Sequence, residues 1–179
     1  MTTFRWHGGR HSVDFTATLG KRWGPVVERL PEPADLARWF QEAGMTGELV
    51  EISTTDLADA RDLREALYAL FTGSSTDVSL VNRWLARPVA SGLLEAGSGK
   101  LTRLAPATDA RGLLALVARD GADLLTGPWA HRIRECERPD CSLLFVDESR
   151  AGARRWCSME TCGARSKMAR YRATRPEMQ

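Results

Sequence analysis

The chain has 179 residues and a hydrophobic content of 43%, which suits one medium globular domain with or without a small additional module. No apolar run is long enough to cross a bilayer, and the N-terminus lacks the apolar core of a secretory signal peptide. We therefore expect a cytoplasmic protein without a membrane partner, in a compartment where thiols stay reduced.

The net charge of +2 is unevenly distributed along the chain. Residues 1–130 contain 14 Lys or Arg and 16 Asp or Glu, whereas residues 131–179 contain 11 and 7. Between residues 150 and 175, eight basic residues occur with one acidic residue, Glu160. An acidic body with a basic end predicts an anionic partner for the C-terminal region.

Helices dominate the secondary structure that we predict for the N-terminal region. Residues 12–19 are compatible with either a strand or a short helix. Apolar residues at helical spacing predict a helix over residues 35–43, which Gly44 ends, and further helices over residues 76–87 and 109–125.

Between these helices the sequence predicts a longer helix and a β-hairpin. The helix begins at Thr54 or Thr55, either of which is a suitable N-cap, and ends at Gly73. The hairpin spans residues 93–104, because Gly97-Ser98-Gly99 separates two short apolar segments.

The predicted domain boundary lies at Gly127-Pro128, where the last of these helices ends. Residues 1–127 are expected to form a mainly helical domain with a small hairpin. Residues 128–179 are expected to form a separate module. The predicted fold class is therefore α+β.

All four cysteines lie in the C-terminal module, in two pairs with the same internal spacing. Four residues separate Cys136 from Cys141, and four separate Cys157 from Cys162. Such matched pairs are typical of one structural zinc ion with four thiolate ligands. Two disulfides, or four unrelated buried cysteines, are the alternatives. A zinc ion with four thiolate ligands has no open position for water, so its function would be structural.

The residues around the cysteines predict a treble-clef zinc finger. A knuckle at the first cysteine pair is followed by a predicted hairpin, with strands at residues 143–146 and 153–156. Ser158 is a suitable N-cap for a helix that starts at Met159 and carries Cys162 in its first turn. Apolar residues of this helix are expected to pack on the hairpin: Ala164, Met168 and Tyr171.

The opposite face of this helix is basic, and two arginines precede the second cysteine pair. Lys and Arg neutralise phosphates and release counterions, so these side chains are candidate contacts to nucleic acid, with DNA favoured and RNA left open. A solvated face that interacts weakly with the acidic N-terminal body is the alternative. The candidate residues are Arg154, Arg155, Arg165, Lys167, Arg170 and Arg172.

Residues 157–165, Cys-Ser-Met-Glu-Thr-Cys-Gly-Ala-Arg, preceded by Arg154-Arg-Trp156, resemble the CGNR zinc-finger family. That module usually follows an N-terminal ABATE domain in bacterial proteins regarded as stress-induced transcription regulators. The ABATE pattern is matched by Val13-Asp-Phe15 and by residues 61–67. The resemblance implies a zinc-binding regulator of transcription.

Two positions depart from the pattern of these families. Ala164 stands where the CGNR motif has asparagine, and this change leaves the metal ligands intact. Near the N-terminus the family often has Asp-Phe-x-Asn-Thr, whereas residues 14–18 of this chain are Asp-Phe-Thr-Ala-Thr.

The N-terminal region also contains candidate effector-binding residues. Arg61 and Arg64 lie one turn apart on a predicted helix and, together with Asp14, are candidates for binding an anionic effector. Pairing with neighbouring acids such as Asp62 or Glu65 is the alternative. An ion pair between Asp14 and one of the arginines would also be structural.

No motif indicates an enzyme, because the sequence has no glycine-rich phosphate loop and no Gly-x-Ser-x-Gly nucleophile motif. We predict a zinc-finger nucleic-acid-binding regulator of transcription. The alternative is a protein-interaction adaptor whose basic finger binds an acidic partner. In either case the N-terminal domain would bind a small effector or mediate assembly. A homodimer is an option for either function, since one finger offers few contacts.

Overall fold

The computed structural model describes residues 3–89, 93–97, 100–104 and 109–173. Helices account for most of the regular structure in these ranges: α1 (His11–Thr16), α2 (Pro33–Glu42), α3 (Thr54–Thr72), α4 (Ser79–Leu85), α5 (Ala110–Thr126) and α6 (Ala164–Ala173). Within the described residues the strands form three antiparallel pairs: β1 (Leu19–Gly20) with β2 (Val27–Glu28), β3 (Leu93–Gly97) with β4 (Lys100–Leu104), and β5 (Ile133–Glu135) with β6 (Leu144–Val146).

The helix ends follow the local sequence. The proline at the first position of α2 has the backbone angle that a helix needs there. Its lack of an N–H costs no hydrogen bond, because the first N–H groups of a helix have no acceptor within the helix. Ser53 caps α3 by accepting a hydrogen bond from the backbone N–H of Asp56, so the cap lies just before the predicted Thr54. Gly73 ends α3 in the left-handed region with φ +68°, a conformation that glycine adopts without strain.

The ambiguous segment near the N-terminus forms the short helix α1. Five of its six residues are buried, and it packs between α3 and α5 and against β6. Val13 and Phe15 are fully enclosed in the core that these helices share. Burial on all sides explains why α1 has no amphipathic periodicity in the sequence.

The hairpin of the C-terminal module differs from the prediction. β6 pairs with β5, in the register Ile133↔Val146, and residues 153–156 form no strand. The buried carboxylate of Asp147 instead accepts hydrogen bonds from the backbone N–H groups of Ser149 and Arg154, which closes the loop after β6. The first cysteine pair therefore lies between the two paired strands.

The two faces of β6 are both buried, but in different surroundings. Leu144 and Val146 belong to the large core formed by the N-terminal helices. Phe145, on the opposite face, packs with Ala17 and the cysteines. The backbone N–H of Val146 also donates to the carbonyl of Gly8 at 2.9 Å. The C-terminal module thus shares its central strand with the N-terminal core.

The predicted packing of α6 on the hairpin is wrong. Met168 is 50% exposed and Tyr171 is 56% exposed, and no residue of α6 is buried. The hairpin has no free apolar face to offer them, because the helical core and the cysteine cluster already cover β6.

The α+β class is confirmed, with a mainly helical N-terminal region, a hairpin at residues 93–104 and a C-terminal four-cysteine finger. The treble-clef assignment and the boundary after residue 127 stay predictions. In the described ranges, no helix has both the length and the apolarity needed to span a membrane.

We expect Leu144→Ala to destabilise the whole protein, because it removes a 2% exposed side chain from the shared core. A loss of about 2–5 kcal/mol in the free energy of unfolding is typical of such truncations. Urea unfolding followed by tryptophan fluorescence measures it. Met168→Ala, at an exposed position, is the control and should change stability by less than about 0.5 kcal/mol. A separate, unshifted transition for the N-terminal helices would contradict the shared core.

Candidate metal centre and basic surface

The four cysteine side chains meet at one point. Cys136 directly follows β5, Cys141 ends the knuckle, and Cys162 lies in the π-helical turn Met159–Gly163 that precedes α6. All four Sγ atoms lie within 4.8 Å of one another. The Sγ atom of Cys157 is 3.8 Å from that of Cys141 and 3.6 Å from that of Cys162.

These distances fit a zinc ion and do not fit disulfides. Four sulfurs at about 2.3 Å from a central zinc ion lie about 3.8 Å apart, which is the separation observed here. A disulfide would require about 2.05 Å, and all four residues are free thiols. The four cysteines therefore form a site for one structural zinc ion.

Without a cation the cluster cannot hold four negative charges. Hydrogen bonds from the thiols of Cys141 and Cys157 lower the pKa of Cys136. The same interactions raise the pKa of Cys141 and of Cys157, because those thiols serve as donors to a neighbouring sulfur. A divalent cation removes this conflict, since each sulfur can then be a thiolate ligand.

Backbone hydrogen bonds fix the two cysteine pairs relative to each other. The N–H of Cys136 donates to the carbonyl of Leu143 at 2.9 Å, which closes the knuckle. The N–H of Glu137 donates to the carbonyl of Arg155 at 3.0 Å, which joins the two halves of the site. As predicted, Ser158 caps the turn that carries the last ligand, by accepting from the N–H of Thr161.

Arg154 faces inward beside the metal site. Its guanidinium lies 4.5 Å from the centre of the Phe145 ring and donates to the carbonyls of Trp156 and Cys157. This side chain therefore holds the second cysteine pair against β6. A contact with nucleic acid would have to use whatever part of the guanidinium these interactions leave accessible.

The other predicted cations are exposed. Arg165, Lys167, Arg170 and Arg172 are all exposed on α6, which contains no acidic residue. Arg155 is exposed too, where it pairs with Glu137 at 2.5 Å and lies 4.8 Å from the centre of the Trp156 ring. A surface groove of about 510 Å³ brings three of these cations together: Arg155, Lys167 and Arg170.

The candidate effector residues do not form one site. Arg64 is buried and donates to both carboxylate oxygens of Glu28, at 2.7 and 2.9 Å, and to Glu65. Arg61 donates to the carbonyl of Leu30 at 2.6 Å. Both arginines are thus occupied by partners in or next to β2. No sequence pattern indicates Glu28 as the partner, because it lies more than 30 residues from either arginine.

Asp14 contacts neither arginine. Its carboxylate accepts a hydrogen bond from the N–H of Gly8 at 2.7 Å and fixes the chain before α1. Burial raises the pKa of Asp14 to about 6, although hydrogen bonds from the N–H groups of Gly8 and His7 act in the opposite direction. The alternative of an ion pair between Asp14 and Arg61 or Arg64 is therefore wrong.

Comparison with known families agrees with this architecture. The ABATE family model, described as "Putative stress-induced transcription regulator", matches residues 9–128, which is more than half of the chain. The chain belongs to the ABATE family. Residues 132–175 match the CGNR zinc finger, and this segment contains all four cysteines. No curated protein matches the chain significantly. The molecule is thus an ABATE protein with a zinc finger of the CGNR type.

The two departures from the family pattern lie in different surroundings. Ala17 is buried in the cluster of Phe145 and the cysteines, and its carbonyl accepts a hydrogen bond from Arg29 at 3.0 Å. An asparagine at this position would put an amide beside the metal site of this ABATE protein. Ala164 is exposed at the start of α6, so its small side chain leaves the nearby basic surface uncovered.

Removal of zinc by a chelator should unfold the finger, since structural zinc supplies roughly 10–16 kcal/mol in small finger modules. Hydrogen exchange of amides in β5, β6 and α6 measures this, and a zinc-sensitive dye gives the metal content. Cys157→Ser should lose zinc, whereas Ser158→Ala, which removes only the cap, should retain it. Full protection of the finger amides in metal-free protein would contradict the assignment.

Asp14→Asn should change how stability depends on pH. The folded pKa of Asp14, about 6, lies above the ordinary value of 3.8, so its protonation stabilises the fold at low pH. That stabilisation is lost as the pH rises through about 6. From about pH 5 to about pH 7.5 the wild type should lose about 1 kcal/mol more than the variant, by urea unfolding. Parallel stability curves for the two proteins would disprove the raised pKa.

Proposed function

We propose that this ABATE protein is a zinc-dependent nucleic-acid-binding regulator of transcription, with DNA as the partner. Zinc would fold the finger, and the basic helix α6 would contact phosphates. The proposal rests on one observation above all. The four cations of α6 are exposed and no acidic residue lies on that helix, so the side chains of the helix carry only positive charge.

The position of the metal ligands supports this reading. Cys162 lies in the turn that leads directly into α6, so zinc binding fixes where the helix begins. A helix held at one end by a metal presents its cations in a fixed arrangement. Arg and Lys in a fixed arrangement lose less conformational entropy when they bind phosphates.

The groove beside α6 extends the basic surface. The groove is lined by Arg155, Trp156 and Lys167, among others. An aromatic ring next to cations suits contacts with a nucleotide, because cations bind phosphate and aromatic rings stack on bases. Arg154 takes a supporting part in this proposal, since its guanidinium already bridges Phe145 and the second cysteine pair.

A protein-interaction adaptor is the second candidate, and one observation favours it. Met159, Met168 and Tyr171 are large apolar side chains, each at least half exposed. Apolar surface of this kind contributes little to phosphate binding and is typical of protein interfaces. In this reading an acidic protein partner, or a second copy of the chain in a homodimer, would cover α6.

The N-terminal region would regulate the finger in either reading. Because β6 belongs to the core of the N-terminal helices, a change in their packing would reach the metal site directly. Asp14, Arg61 and Arg64 have protein partners, so an effector at these residues would have to displace them. The proposal includes a cytoplasmic location and a homodimer.

Neutralising two cations of α6 tests the proposal. Lys167→Gln/Arg172→Gln should weaken binding to a random-sequence DNA duplex by about tenfold or more at low salt. The slope of log affinity against log salt should fall in magnitude by about 1.8, or about 0.9 for each lost phosphate contact. Fluorescence anisotropy with zinc-loaded protein measures both quantities, on duplex DNA and on single-stranded RNA.

A control with the same change in charge is Arg83→Gln/Arg111→Gln, on α4 and α5. It should leave affinity and salt slope nearly unchanged. Equal losses in the two double variants would point to nonspecific attraction and remove α6 from the interface. If bulk duplex DNA fails to compete with a bound protein partner, the adaptor function replaces the regulator function.

A further inference from the structure

A positively charged cavity of about 150 Å³ lies directly beside the metal centre, between the finger and the N-terminal segment with the β1–β2 pair. Three of the zinc ligands line it on the finger side: Cys141, Cys157 and Cys162. Five cationic side chains line it: Arg5, Lys21, Arg29, Arg138 and Arg165. They are up to 160 residues apart in the chain, so no local sequence pattern marks the site.

The negative charges near this cavity do not balance the cations. Asp140 is the one carboxylate among the described residues that line it, and Arg138 already binds Asp140 through both Nε and Nη2. A zinc ion with four thiolate ligands would carry a net charge of −2. Five cations therefore exceed the charge of the carboxylate and the metal centre together.

Two guanidinium groups in the cavity have unused donors. The Nη1 atom of Arg138 is buried and has no hydrogen-bond partner. Arg29 is only 8% exposed, and its Nε and Nη1 donate to the carbonyls of Thr3 and Ala17, at 3.1 and 3.0 Å. No described residue accepts a hydrogen bond from its Nη2. A buried donor without a partner, such as Nη1 of Arg138, is costly unless an acceptor binds there.

The guanidinium of Arg29 packs closely against the backbone of the β1–β2 pair. A Cβ atom at Gly20 would lie 2.6 Å from Nη1 of Arg29, so only glycine lets the guanidinium lie against the chain there. The next residue, Lys21, has φ +55°, a left-handed conformation that is uncommon for lysine. Strained residues of this kind cluster at functional sites.

We propose that this cavity is a binding site for a phosphate group, held by Arg5, Lys21, Arg29, Arg138 and Arg165. A tetrahedral phosphate offers several acceptor oxygens, and arginine guanidinium groups bind them through paired, charge-assisted hydrogen bonds. Arg165 belongs both to this site and to α6, so the site lies at the edge of the basic surface.

The phosphate could come from two sources with the same chemistry. One is a backbone phosphate of bound nucleic acid, in which case the site adds a contact to the proposed interface. The other is a small phosphorylated compound, in which case the site would regulate the finger. The site does not depend on the proposed function of α6, so each can be tested without the other.

The test uses the zinc-loaded full-length chain and two probes, inorganic phosphate and a random-sequence DNA duplex. Arg5→Gln/Lys21→Asn removes two exposed cations, and asparagine tolerates the left-handed conformation at residue 21. Gly20→Ala keeps every charge but displaces the guanidinium of Arg29. Lys167→Gln/Arg172→Gln, outside the cavity, is the control matched in charge to the first variant. Zinc content and circular dichroism confirm that each variant is folded.

Titration calorimetry should show one phosphate bound per chain, with affinity lowered about tenfold or more in both cavity variants and unchanged in the control. If the cavity variants keep full affinity for duplex DNA, the source is a free phosphorylated compound. If the cavity variants weaken duplex binding, the source is the nucleic-acid backbone. This holds whether or not the wild type binds inorganic phosphate measurably.

The site is disproved if neither cavity variant changes binding of either probe. If only Lys167→Gln/Arg172→Gln loses duplex affinity, the cavity site is disproved and the proposed α6 interface is supported. The reverse pattern, with phosphate affinity lost in the cavity variants and duplex affinity unchanged in the α6 variant, would support the phosphate site and disprove the α6 interface.

Discussion

The two-sided burial of strand β6 connects the metal centre to the rest of the molecule. Leu144 and Val146 face the helical core, whereas Phe145 faces the cysteines, because successive side chains of a strand point in opposite directions. One three-residue strand therefore belongs to both cores. The position of the zinc ligands depends on how the N-terminal helices pack, and the stability of those helices depends in part on the finger.

The cations around the zinc site fall into three groups. Arg154 lies over Phe145 and donates to backbone carbonyls, so its guanidinium holds the finger together. Arg29 and Arg138 also make internal hydrogen bonds, but each retains a donor without a described acceptor. The exposed cations of α6 form a third group, which has solvent on most sides. The last two groups meet at Arg165, which lies on α6 and also lines the cavity.

The arginines of the N-terminal region serve the fold. Arg64 is almost completely buried and binds Glu28 through two hydrogen bonds, which ties α3 to the β1–β2 pair. The same β1–β2 pair carries Gly20 and Arg29 to the cavity beside the metal. Arg64, a candidate effector-binding residue in the sequence, therefore supports the segment that borders the finger. Signals from the N-terminal region would reach the finger through this segment or through β6.

The sequence by itself determined the zinc ligands, the fold class and most helices, because these depend on spacing along the chain. Matched cysteine pairs, a serine cap before Cys162 and helical periodicity all act over a few residues. The partner of β6, the exposure of α6 and the partners of Arg61 and Arg64 depend on contacts between residues distant in the chain. So does the cavity beside the metal, whose cations come from both ends of the sequence. Only tertiary packing decided these features, since burial and charge balance are properties of neighbours in space.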